Sequence, residues 1–193
     1  MLMKILISLL SIVLFALSLS AHVNQSRGYE FQAKYPGVSP AQLKTLQSMN
    51  RTIPIPLPTW LPTGFTLEKI QSRLGRGVKV YDREFTLIFR RSLADGKFQQ
   101  FALSAGFEGL GDLLYDETSI IKSPIGTIYL LYEPIDPEDG KRIEKYVMTQ
   151  WFRVGSLDYH YVGMYGYEEG NEDHLMIPLA DTERILRSLQ RLK

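Results

Sequence analysis

The chain has 193 residues, 45% of them hydrophobic and 11% aromatic, with 22 basic and 21 acidic residues and no cysteine. That is apolar material for one core, and a length suited to one domain. The missing cysteine excludes disulfide scaffolds, thiol catalysis and cysteine-ligated metals; three histidines argue against a His-rich metal centre, and a net charge of +1 does not point to nucleic acid.

Met1 to Ala21 carry one charge, Lys4, ahead of an apolar or small run from Ile5 to Leu19. At about 1.5 Å per residue that run falls short of a ~30 Å hydrocarbon core. A positive head, a short apolar stretch and small residues at its end describe a secretory signal peptide, residues 1–20, with Ser18 and Ser20 suiting cleavage after Ser20. An uncleaved signal anchor is the alternative. Either way the body of the protein is expected outside the cytoplasm, in the periplasm or beyond the cell. No cysteine follows the apolar run, so no lipid anchor is expected there, and cleavage leaves no stable membrane span. Lys4 is the leader's only charge, so its loss takes the 22 basic residues to 21, equal to the 21 acidic ones.

Residues 21–52 read as an N-terminal arm and a helix. Ser39 suits an N-cap, Pro40 the first helical position, and Gln42 completes a capping box. Leu43, Leu46 and Met49 follow at helical spacing, and the helix should stop near Asn50. Residues 53–193 form the main domain. Alternating prolines over Ile53–Pro58 exclude a central strand and predict an extended segment or a sheet edge. Strands are then predicted over Phe65–Leu74, Val78–Arg91, Phe98–Ala105 and Thr127–Glu133, with turns at Gly75–Gly77, Ala94–Lys97 and Asp136–Gly140. Ile143–Val154 and Leu157–Tyr167 read as a hairpin around Gly155-Ser156. A second amphipathic helix is predicted near Asp181–Arg191, with Ile185, Leu186, Leu189 and Leu192 as its stripe. Hairpins bracketed by helices predict an α+β domain: one antiparallel, twisted sheet of about six strands, with the N-terminal and C-terminal helices on one face.

The candidate chemistry is sparse. Gly106, Gly109 and Gly111 stand at the first, fourth and sixth positions, unlike the dinucleotide fingerprint, and no P-loop ending follows. Ser156, Asp158 and His160 share a strand face, but at about 3.3 Å per residue the Ser and His lie too far apart for a triad. His160 and His174 with Glu168, Glu169, Glu172 and Asp173 show no metal-ligand spacing, and Asp136–Gly140 misses the calcium-loop pattern. Neither a cofactor nor a metal is expected. Asn24 and Asn50 head Asn-x-Ser/Thr triplets, which occur often by chance.

Aromatic residues are the one excess. Tyr159, Tyr161, Tyr165 and Tyr167 alternate along a predicted strand, and Trp151 lies in the preceding one. Such a strip binds a sugar, a lipid or a peptide, or else packs across strands beneath a helix; the residues fit both. Trp151, Tyr159 and Tyr161 are therefore weak ligand-binding candidates, joined by Trp60, which is either a plug of the core or an exposed anchor.

Leu57-Pro58-Thr59-Trp60-Leu61-Pro62-Thr63-Gly64-Phe65, then hairpins, a Trp-bearing strand at Trp151 and a closing amphipathic helix reaching Ser188-Leu189, is similar to a known pattern. Over residues 53–192 the chain resembles a bacterial extracytoplasmic domain family of unknown function, found at the C-termini of anti-sigma-factor regulators and in exported proteins. Only three residues precede Lys4, so no cytoplasmic anti-sigma segment is expected before the apolar run. The family carries no catalytic motif to transfer. In the pattern itself, Pro58 and Pro62 stiffen the approach, and Gly64 permits a positive-φ turn that aims Phe65 inward. The expected function is an exported, non-catalytic envelope protein that binds or scaffolds an unidentified envelope partner. The alternative is a periplasmic carrier or sensor of an apolar ligand, a lipid or lipopeptide. Least expected is a hydrolase, with a polar pocket gathering His160 or His174.

Overall fold

The first helix, α1 (Pro40–Met49), starts as the sequence predicts: Gln42 N donates to Ser39 Oγ at 3.3 Å, and Ser39 N to Gln42 Oε1 at 2.9 Å. The computed structural model describes residues 34–74, 77–79, 83–106, 118–132, 147–166 and 170–193, and a single unit spans Tyr35–Lys193. Leu43 and Leu46 bury the apolar side of α1. Asn50 then ties the helix to both ends of the domain, its Nδ2 donating to Leu192 O at 2.8 Å and its Oδ1 accepting from Ile55 N at 3.0 Å. The leader and its cleavage bond, like the turns at Gly75-Arg76 and Asp136–Gly140, lie outside the described residues.

Gly37, just before α1, has φ +76°, and a Cβ on it would lie 2.5 Å from the Phe65 carbonyl oxygen. Leu67 N donates to Gly37 O at 2.8 Å, so the segment cannot drift away from β2 (Thr66–Arg73). A side chain here meets an unfavourable φ and fixed backbone together. Gly37→Ala is expected to cost at least about 1–3 kcal/mol, measurable by urea unfolding of the two proteins side by side.

The proline-rich segment becomes a strand, β1 (Pro56–Pro58), paired antiparallel with the last strand of the chain, β10 (Leu189–Arg191). Leu192 N donates to Ile55 O, and Thr59 N to Ser188 O. Hydrogen-bonded pairs alternate with non-bonded ones in an antiparallel ladder, so Pro56 and Pro58 occupy the non-bonded positions and forfeit no donor. Gly64 has φ +91° as expected, and Phe65 is buried.

The main sheet is antiparallel and has eight strands rather than about six. Its order is β2, β3 (Glu84–Ser92), β4 (Phe98–Gly106), β9 (Leu157–Gly163), β7 (Val147–Thr149), β6 (Gly126–Tyr132) and β5 (Thr118–Ser123), with β8 (Phe152–Val154) also on β9. The difference has two sources. β5 has adjacent isoleucines, Ile120 and Ile121, instead of an alternating pattern. The strand expected over Ile143–Val154 is broken into β7 and β8.

One face of the sheet is aromatic. Phe101 stacks on Phe89 at 4.9 Å and on Tyr161 at 5.2 Å, and Phe65 lies 5.6 Å from it. The second long helix, α2 (Leu179–Arg187), lies against this face: Thr182 Oγ1 is 3.5 Å from the Tyr161 hydroxyl, and Ser119 Oγ donates to Glu183 Oε1. The sequence pattern predicts a helix as far as Arg191. Instead, Ser188 N turns back to Arg184 O and Ile185 O, and the chain extends into β10. Leu189 and Leu192 are buried all the same, from a strand and its continuation rather than a helix. The opposite sheet face is not wholly polar, since Ile88, Ala102, Leu131 and Val162 are buried there.

Candidate functional site

That second face carries the most chemically varied cluster of described side chains. Register places Thr86 of β3 opposite Ser104 of β4, and Ser104 opposite His160 of β9. The two hydroxyls are 3.1 Å apart. Beside them Arg153 of β8 holds Asp158 of β9 in a two-point ion pair, Nε–Oδ1 2.9 Å and Nη2–Oδ2 2.6 Å.

Trp151 completes the cluster, its ring stacked on His160 at 4.0 Å between centroids and 22° between planes. A register shift puts it there. Met148 pairs with Val162, but Phe152 pairs with Tyr159: four residues advance on one strand against three on the other. The extra residue is a bulge at Gln150-Trp151. Side chains alternate along a strand, so unbroken pairing would turn Trp151 into the aromatic core; the bulge swings it to the His160 face.

Burial pushes the His160 imidazole down to about 4, so it is neutral near pH 7. Its Nδ1 is buried with no hydrogen-bond partner. Ser104 bonds Thr86 rather than the imidazole, and Asp158 is committed to Arg153. Ser156 lies exposed in the β8–β9 turn. A nucleophile–base–carboxylate relay needs these groups joined in series, and here they are pinned separately. What they make is a firm, partly exposed platform: an aromatic ring edged by hydroxyls and an ion pair.

The other expected candidates are placed differently. Tyr159 and Tyr161 are fully buried and face the aromatic core, where burial raises both phenol pKa values; Thr182 opposes this at Tyr161 by hydrogen bonding. The expected tyrosine strip ends at Gly163, after which Met164 turns the chain at φ +53°. Tyr165 is half-buried, and Tyr167 lies outside the described residues. Their rings pack against those of Phe85, Phe101 and Phe152. Trp60 is neither a full plug nor a free anchor. It is half-buried, with the Arg184 guanidinium 4.1 Å above its ring and its backbone N–H donating to Ser188 Oγ.

His174 is buried and stacked on Phe98 at 4.5 Å, away from His160 on the strand map. Glu172 and Asp173 beside it are exposed, while Glu168 and Glu169 lie outside the described residues. Among the described residues no group of three or more histidines and carboxylates could hold a metal, and no helix is long and apolar enough to cross a membrane. No pattern along one strand links Ser104 or Thr86 with His160, because cross-strand register joins them. Comparison with family models, curated proteins and solved structures returns no match.

Proposed function

We propose that the protein is an exported binding domain of the cell envelope, in keeping with the signal-peptide pattern and the Leu57–Phe65 resemblance, and that it works through the Trp151–His160 face rather than by catalysis. The observation that carries this reading is the bulge that moves Trp151 out of the core register and onto His160. Bulges of this kind concentrate where a side chain must be re-aimed. A large aromatic ring edged by fixed polar groups suits contact with a partner surface or a glycan. The pinned Ser104 and Asp158 supply complementarity without a reactive step.

The test is co-sedimentation of the purified protein with isolated cell envelopes. Trp151→Ala is expected to weaken association at least tenfold at a temperature where circular dichroism shows the variant still folded. Equal binding by the variant would overturn the proposed face. A saturable hydrolase activity abolished by His160→Ala would overturn the non-catalytic reading.

A further inference from the structure

We propose that a second site, at the end of the sheet next to β10, binds a phosphate ester. A groove of about 380 Å³ opens where three segments converge: the β5–β6 turn, the β8–β9 hairpin and β10. That volume is in the range of small-ligand sites. Pro124, Ile125 and Val154 give it apolar walls, while Arg153, Arg191 and Lys193 bring three cations.

The charge clustering is not a by-product of composition, because basic and acidic residues are almost equal in number. Arg153 uses Nε and Nη2 on Asp158, leaving Nη1 free of that bond. Arg191 and Lys193 make no ion pair among the described residues. Arg191 is well placed. Pairing with Pro56 fixes its backbone, and its Nη1 comes within 3.6 Å of the point where a Cβ on Gly155 would sit, against the hairpin turn. A guanidinium presents its N–H groups in a planar fork that matches the oxygens of a phosphate. Two cations outside any ion pair among the described residues, with the spare Arg153 nitrogen as a further donor, suit the several oxygens of an anionic phosphate group. The apolar walls then take the carbon group the phosphate carries.

The phosphate could belong to a soluble ester or to a lipid headgroup, and two probes distinguish them. Purified protein is titrated with glycerol 3-phosphate by calorimetry, and sedimented with phosphatidylglycerol or phosphatidylcholine vesicles, both at low salt. Binding is expected in the glycerol phosphate arm or the phosphatidylglycerol arm but not to phosphatidylcholine. The double variant Arg191→Gln with Lys193→Gln is expected to lose at least tenfold in whichever arm is positive. Lys69→Gln with Arg73→Gln, both exposed on β2, is the charge-matched control and is expected to bind as the wild type. Binding of neither probe, an unaffected groove variant, or equal weakening by the control would each overturn the site. The groove shares Arg153 with the ion pair beside Trp151, so both groove substitutions leave Arg153 in place; repeating the envelope assay for Trp151→Ala in the Arg191→Gln, Lys193→Gln background tests the Trp151 face separately.

Discussion

Phe101→Ala is expected to lower the unfolding free energy by about 3–5 kcal/mol, enough to remove a large share of a single domain's stability. Phe101 is fully buried on the central strand β4 and contacts three other rings, those of Phe65, Phe89 and Tyr161. Truncation loses the transfer energy of the ring and opens a cavity between strands whose hydrogen bonds prevent collapse. It also removes the ring–ring geometry, worth about 0.5–1.5 kcal/mol per pair beyond area. Urea unfolding followed by circular dichroism measures the loss. Phe101→Leu, which keeps most of the volume, is expected to recover more than half of it. A loss below about 1.5 kcal/mol for the alanine variant would show that the column can repack.

Acidification is expected to destabilise the fold through His160 by about 2–3 kcal/mol between pH 7 and pH 4.5. Burial lowers the folded-state pKa to about 4, from an ordinary value of 6.5. Above pH 6.5 both states hold the ring neutral, and stability does not depend on it. As pH falls below 6.5 the unfolded chain takes up a proton that the folded ring, stacked under Trp151, refuses. Stability therefore falls, and the effect levels off below about pH 4. His174 is also pushed down, first by burial and then by Arg90, against an opposing backbone hydrogen bond with Gln100, so it acts in the same direction. The difference between wild type and His160→Gln across urea titrations at several pH values isolates the His160 share. Parallel profiles for the two proteins would mean that the folded imidazole protonates as freely as the unfolded one.

Local patterns in the sequence specify much of the fold. The Ser39–Gln42 box, the turn at Ala94–Gly96 and the β8–β9 hairpin at Gly155-Ser156 each depend on a few neighbouring residues, and each forms in place. The stripe Ile185, Leu186, Leu189 and Leu192 announced burial correctly but not its form: the spacing fits a helix, yet Leu189 opens β10 and Leu192 lies just past its end. β5 was illegible for a related reason: only Ile121 of its two adjacent isoleucines turns inward, and Ile120 is exposed. The candidate site was less legible still. Alternation showed that Tyr159 and Tyr161 share a face and His160 takes the other, but not which face is the interior. Trp151 reaches His160 only through the bulge at Gln150-Trp151, and no periodicity in one strand reveals a bulge set by the register of two.

The clasp between β1 and β10 sets an order of events. Its bonds join residues 129 or more positions apart, and Asn50 reaches Leu192 across 142. The hairpins β3–β4, β5–β6 and β8–β9 close short loops and can form as soon as their own residues are available. The clasp pays a large loop-closure entropy, which makes it a slow, late contact. A chain delivered N-terminus first, whether from a ribosome or through a membrane channel, keeps β1 unmatched until β10 has emerged. The seal on the domain is therefore also a timer: the fold cannot close around its first strand before the distant β10 has arrived.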